Sequence, residues 1–244
     1  MSRVIDNKIY GDDMQAVEIT LNKGESVLSE SGALLYMSEG IEMKTKVEGG
    51  MLKGLKRAVS GGSFFLVTYT NISEKDQILS FAAPYPGKII VLELSQTGSY
   101  YCQRSSYLCS DTNVDIDLAF TKKLGAGFFG GEGFILQKLS GAGQTFIHAG
   151  GTVIEKDLKE NEILKVDTGC IVAFSTEISY DIQFVGGFSN ALFGGEGLFL
   201  ATLKGPGKVF LQSLPFSRMA DRIIKASSLS PGKNQGEVRR FSRL

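Results

Sequence analysis

At 244 residues the chain is long enough to bury a core in one large domain or two modest ones. Lys plus Arg and Asp plus Glu each total 26, so no global field draws the chain to nucleic acid, and nucleic acid is not expected as a partner. Cys102, Cys109 and Cys170 are odd in number and lack metal-like spacing, no stretch approaches the roughly 18 apolar residues of a membrane span, and Met1–Asn7 lacks a leader's apolar run; a cytoplasmic protein with reduced thiols is expected.

The chain repeats itself. Shifted by 64 positions, Lys88–Gly151 falls on Thr152–Pro215 without a gap, and Phe129-Gly130-Gly131-Glu132-Gly133 lies on Phe193-Gly194-Gly195-Glu196-Gly197. A divergent first copy precedes them. Leu21-Asn22-Lys23-Gly24-Glu25-Ser26-Val27 resembles Leu158-Lys159-Glu160-Asn161-Glu162-Ile163-Leu164, and each runs on to a glycine, Gly32 or Gly169, that opens an apolar run. Three units of about 14–87, 88–151 and 152–215 follow, in a single β domain spanning 1–215.

In chain order, the first unit predicts a strand at Ile41, Met43, Thr45 and Val47, which alternate with Glu42, Lys44 and Lys46. Val114, Ile116, Leu118 and Phe120 alternate similarly in the second unit, and Ile178, Tyr180, Ile182 and Phe184 in the third. Period two puts one set on a core face and the other in water. A second strand is expected from Phe64, Phe134 and Leu198, after glycines, and a third over Thr145–Ala149 and Val209–Ser213. Short, evenly spaced strands indicate an all-β fold of three tandem sandwich-like repeats. One helix is predicted, over Phe216–Ser228. Pro215 is placed to begin it, and Met219, Ile223 and Ile224 form an apolar stripe to lay against the β units or a neighbouring subunit. The remainder of 216–244 is a basic tail with Arg239, Arg240 and Arg243.

Few residues look like chemistry. Gly125-Ala126-Gly127-Phe128-Phe129-Gly130 matches the dinucleotide fingerprint, but a strand rather than a helix follows, so it reads as a turn or bulge. Glu132 and Glu196 are tempting as an acid–base pair. The first copy has Gly62 there, which favours a structural role. His148, the sole histidine, reads as a hydrogen-bonded strand residue, with Gln212 as its repeat partner. Cys170 reads as a small buried hydrophobe, and Cys102 and Cys109, placed on adjacent strands, as unpaired thiols. No catalytic, cofactor-binding or metal-binding residue is assigned.

Each unit also carries a glycine-bracketed apolar connection, and apolar loops call for a burial partner. The first holds Met51, Leu52, Lys53, Leu55, Lys56 and Arg57, a basic amphipathic turn suited to anionic lipid. The others hold Phe128 and Phe129, then Phe188, Leu192 and Phe193. Packing within an oligomer is favoured over a membrane surface for these residues.

The runs Phe-Gly-Gly-Glu-Gly-Phe-Ile-Leu-Gln (129–137), Gly-Ala-Gly-Gln-Thr-Phe-Ile-His-Ala-Gly-Gly (141–151) and Val-Asp-Thr-Gly-Cys-Ile-Val-Ala-Phe (166–174) resemble a known family. So does Gly-Gly-Met-Leu-Lys-Gly-Leu-Lys-Arg (49–57) followed by Ser-Gly-Gly-Ser-Phe-Phe (60–65). It is that of the altered-inheritance-of-mitochondria protein 24 and its uncharacterised bacterial relatives, matched over about residues 14–225. The resemblance implies a fold similar to the tryptophan RNA-binding attenuation protein. It also implies ring-like packing and, for the eukaryotic relatives, a place in mitochondrial inner-membrane organisation. It supplies no catalytic residues, and the attenuation protein's tryptophan and RNA sites do not transfer.

The expected function is a non-enzymatic, homo-oligomeric β scaffold, a trimer, binding a protein partner or an anionic membrane surface through its apolar loops. The alternative is a small-molecule-binding or enzymatic β barrel that uses Glu132, Glu196 and His148.

Overall fold

Residues 5–46, 66–122, 134–185 and 198–228 are described by the computed structural model, and antiparallel strands dominate them. The turns are built alike where the sequence matches. Gly24 and Asn161 both adopt positive φ, 78° and 63°, which glycine and asparagine tolerate best. One residue later a glutamate closes each turn, Glu25 accepting from the Asn22 N–H at 2.6 Å and Glu162 from the Lys159 N–H at 2.8 Å.

Strand β1 (Asp6–Tyr10) is followed by β2 (Ala16–Leu21), β3 (Ser26–Glu30), β4 (Leu34–Met37), β5 (Ile41–Lys46), β6 (Leu66–Asn71) and β7 (Gln77–Ala82). Next come β8 (Gly87–Glu93), the short helix α1 (Leu94–Thr97), β9 (Tyr100–Gln103), β10 (Tyr107–Asp111), β11 (Val114–Lys122), β12 (Phe134–Gly141) and β13 (Gln144–Gly150). The last set is β14 (Val153–Leu158), β15 (Ile163–Asp167), β16 (Ile171–Ser175), β17 (Ser179–Val185), β18 (Leu198–Lys204) and β19 (Gly207–Gln212), before the C-terminal helix α2 (Phe216–Ser228).

The strand orders are β1-β2-β7-β4, β5-β6-β3-β10-β13-β8, β11-β12-β9-β16-β19-β14 and β15-β18-β17. One pairing pattern occurs three times: β2-β7-β4 with β5-β6-β3, β8-β13-β10 with β11-β12-β9, and β14-β19-β16 with β17-β18-β15. Each six-strand set contributes three strands to one sheet and three to another, so that the two six-stranded sheets are each shared between consecutive sets. Consecutive sets are stitched by β3 to β10 and by β9 to β16.

The core divides accordingly. Val17, Ile19, Leu79 and Phe81 belong to a first buried cluster, Tyr100, Cys102, Ile147 and Val172 to a second, and Phe134, Leu136, Phe174 and Leu203 to a third. Burying a side chain of this size removes roughly 1.5–3 kcal/mol of unfavourable exposure, so these clusters outweigh any surface ion pair.

Several expectations change in detail. The alternation of β11 breaks at Leu118, which is exposed; the register slips between Leu118 and Phe120, and Phe120 packs on the third cluster whereas Val114 and Ile116 belong to the second. Met43 of β5 is likewise exposed. Cys102 and Cys109 lie on strands of different sheets rather than on adjacent ones, and both are buried free thiols. Helix α2 begins after Pro215, but Ile223 and Ile224 of its apolar stripe face solvent. Among the described residues no helix is long and apolar enough to cross a membrane.

Candidate functional site

The first and second six-strand sets meet at a cavity of about 370 Å³. The β3–β4 corner (Glu30, Ser31, Gly32, Ala33) forms one wall, and the corner between β9 and β10 (Arg104, Ser105) forms another. Ala82 at the end of β7, and Ala83, Pro84 and Tyr85 on the connection to β8, line it, as do Leu108 and His148. Phe216, the first residue of α2, closes one side. Mostly apolar walls with a few polar groups are the usual make-up of a small-molecule pocket.

His148 on β13 is 2 % exposed. The Tyr85 ring meets it edge-on, with centroids 4.6 Å apart and planes at 86°, and Phe216 packs on Tyr85 at 5.3 Å. Gly87 makes this approach possible, because a Cβ there would stand 2.5 Å from His148 Nε2 and 2.2 Å from the Ala149 carbonyl oxygen. Burial pushes the His148 imidazole down to about 4. Burial, then the nearby Glu30 carboxylate, pushes the Tyr85 phenol up to about 12. Both rings are therefore neutral near pH 7 and can act as hydrogen-bonding groups. His148 Nδ1 is buried without a hydrogen-bond partner among the described residues. The expected hydrogen-bonded strand histidine is thus corrected at this atom.

The comparable place one unit later is satisfied. Gln212, 64 residues after His148, donates to the Gly169 carbonyl at 2.8 Å and accepts from the Gly150 N–H at 2.9 Å. The residue 64 before Gly150 is Pro86, which has no N–H to offer. One missing donor distinguishes the two junctions.

Of the candidate site residues read from the sequence, His148 is the one that lies in this cavity among the described residues. Glu132 and Glu196 fall outside the described residues. So do Met51, Leu52, Lys53, Leu55, Lys56, Arg57, Phe128, Phe129, Phe188, Leu192 and Phe193, and the fingerprint 125–130. Sequence reasoning missed Tyr85, Arg104 and Phe216, which come from three separate elements. The Pro86-for-Gly150 exchange was the available signal. The thiols are not activated: burial raises Cys102 and Cys109 well above the ordinary range, and raises Cys170 as well. Among the described residues no three His, Cys, Asp or Glu side chains gather as a metal site.

The architecture has known counterparts. A crystal structure of a Streptococcus pyogenes protein superposes with a TM-score of 0.73 at 26% identity, covering 91% of this chain and 99% of that one. An uncharacterized protein of Streptococcus pyogenes serotype M6 is 30% identical over 235 residues, 91% of this chain and 92% of the relative. The model of the family described as mitochondrial biogenesis AIM24 matches residues 7–214. With a match over nearly its whole β region, the chain belongs to the AIM24 family.

Proposed function

We propose that the chain is a non-enzymatic scaffold that assembles with copies of itself, most simply as a trimer, and presents apolar surface to a cytoplasmic protein partner or an anionic membrane. Its β region acts as one domain of three units, about 14–87, 88–151 and 152–215, with the helix and basic tail appended. The observation that carries this reading is a set of apolar side chains left in solvent at sheet edges and on the helix: Leu35, Tyr36, Met37, Ile163, Ile223 and Ile224. Surfaces of this kind mark interaction sites. Light scattering at micromolar concentration tests it, with an expected mass of several times 26.4 kDa. A single-chain mass, together with failure to float with anionic liposomes, would end the reading.

A second reading is a small-molecule receptor, and the orphaned Nδ1 of His148 in the junction cavity favours it. It replaces the trio Glu132, Glu196 and His148 with His148, Tyr85 and Phe216. Native mass spectrometry of freshly purified protein would reveal a retained ligand; the bare polypeptide mass alone would count against it.

A further inference from the structure

The two internal joints obey one register. β10 meets β3 with Cys109 opposite Ser29, Ser110 opposite Leu28 and Asp111 opposite Val27. β16 meets β9 with Ala173 opposite Cys102, Phe174 opposite Tyr101 and Ser175 opposite Tyr100. In each joint the first partner follows a bulge: the register slips between Tyr107 and Cys109 of β10 against β13, and between Ile171 and Ala173 of β16 against β19.

A third pair of such strands exists, and its members do not meet within the chain. β4 carries the same bulge, slipping between Leu34 and Tyr36 against β7, so Tyr36 is the counterpart of Cys109 and Ala173. β15 pairs β18 as β9 pairs β12, with Val166 opposite Ala201 where Cys102 is opposite Gln137. Val166 is therefore the counterpart of Cys102. β4 ends one sheet and β15 ends another, each with a single strand neighbour among the described residues.

Exposure separates the free edge from the joined ones. Leu35, Tyr36 and Met37 are 58%, 43% and 38% exposed. Their counterparts Leu108, Cys109 and Ser110, and Val172, Ala173 and Phe174, are all buried. On the other edge Lys165 is exposed where Leu28 is buried. An unpaired apolar edge is a template for another strand, and soluble proteins ordinarily cover or charge it.

We propose that copies of this chain associate head to tail, β4 of one pairing antiparallel with β15 of the next in the register of the internal joints. Tyr36 then lies opposite Val166, Met37 opposite Lys165 and Ser38 opposite Leu164. The joint continues the chain's own stitching across the molecular boundary and merges two end sheets into one of seven strands. The occupant is a second copy because β15 carries the register that β4 and its bulge are built to receive, while its counterparts β3 and β9 are already paired within the chain. A β4-to-β4 pairing would instead set two bulges against each other. Such a heterologous contact gives a ring if the rotation closes and a filament if it does not. This proposal rests on the self-assembling reading and names the surface that serves it.

The test mixes two proteins in a Cys170→Ser background, one carrying Tyr36→Cys and the other Val166→Cys. Opposed residues of an antiparallel pair have Cα atoms roughly 4.5–5.5 Å apart, inside disulfide range. The mixture should form a covalent dimer under mild oxidant, whereas Met43→Cys mixed with Val166→Cys should not. In parallel, Met37→Lys places like charges opposite each other and should reduce the assembly to the single-chain mass. Adding Lys165→Glu should restore it. Both altered side chains are exposed in the single chain, so the fold should survive. An assembly that persists with no specific cross-link, or with Met37→Lys at full mass, overturns this interface and leaves self-assembly standing. A wild-type single-chain mass overturns both.

Discussion

Gln212 and His148 hold the same place in successive units, and only Gln212 is paired: its amide joins Gly150 to Gly169 at 2.9 and 2.8 Å, while His148 Nδ1 has no partner among the described residues. The difference follows from Pro86, which stands where a donor would be needed. The two junctions should therefore respond differently to change.

Gln212→Ala strands the Gly150 N–H and the Gly169 carbonyl in a buried setting. Leaving such groups unmade costs about 1–3 kcal/mol. Urea unfolding should show a lowered midpoint with an unchanged slope.

His148 gives a pH signature. Burial holds it near 4 when folded, while the unfolded chain takes up its proton below the ordinary 6.5. The unfolded state thus binds more protons between those values, and stability falls as pH drops from about 6.5 to 4. The loss attributable to this ring is on the order of 3 kcal/mol, fully regained above 6.5. Thermal unfolding across this range should show the slope, and His148→Gln should flatten that part of it. An unchanged slope in the variant would place the proton uptake elsewhere.

Helix α2 is held at its start. Phe216 packs on Tyr85 at 5.3 Å, and Arg218 reaches Asp167 at 2.5 Å. The ion pair is half in water and worth only about 0.2–1 kcal/mol, so Arg218→Ala should change global stability little. Phe216→Ala should instead speed amide exchange throughout 216–228 while leaving β13 protected.

The third core cluster should tolerate no truncation. Phe174 is fully buried, with Tyr101 at 5.5 Å and Tyr180 at 5.3 Å. Phe174→Ala should cost about 3–5 kcal/mol, measured as a fall in the unfolding midpoint.

Much of the β architecture was legible because strands announce themselves locally. Ile182 alternates with Asp181 and Gln183 on β17, and the Gly205–Gly207 turn separates β18 from β19. Gly24 and Asn161, matched by sequence, share a left-handed turn. What escaped depends on partners distant in the chain. Tyr85, His148 and Phe216 meet only because β8 pairs β13 and the helix begins beside them. The exposure of Tyr36 is equally invisible, since its counterparts are covered by the preceding unit and the first unit has none before it. The apolar loops that composition pointed to for interaction lie outside the described residues; among the described ones β4, β15 and α2 each carry exposed apolar side chains.

Hydrogen exchange at β4 and β15 tests self-assembly through these edges most directly. At micromolar protein, peptides covering residues 34–38 and 163–167 should be protected, and both should lose protection together on dilution while β10 and β16 keep theirs. Rapid exchange at both edges at every concentration, with β10 and β16 protected, would contradict the account.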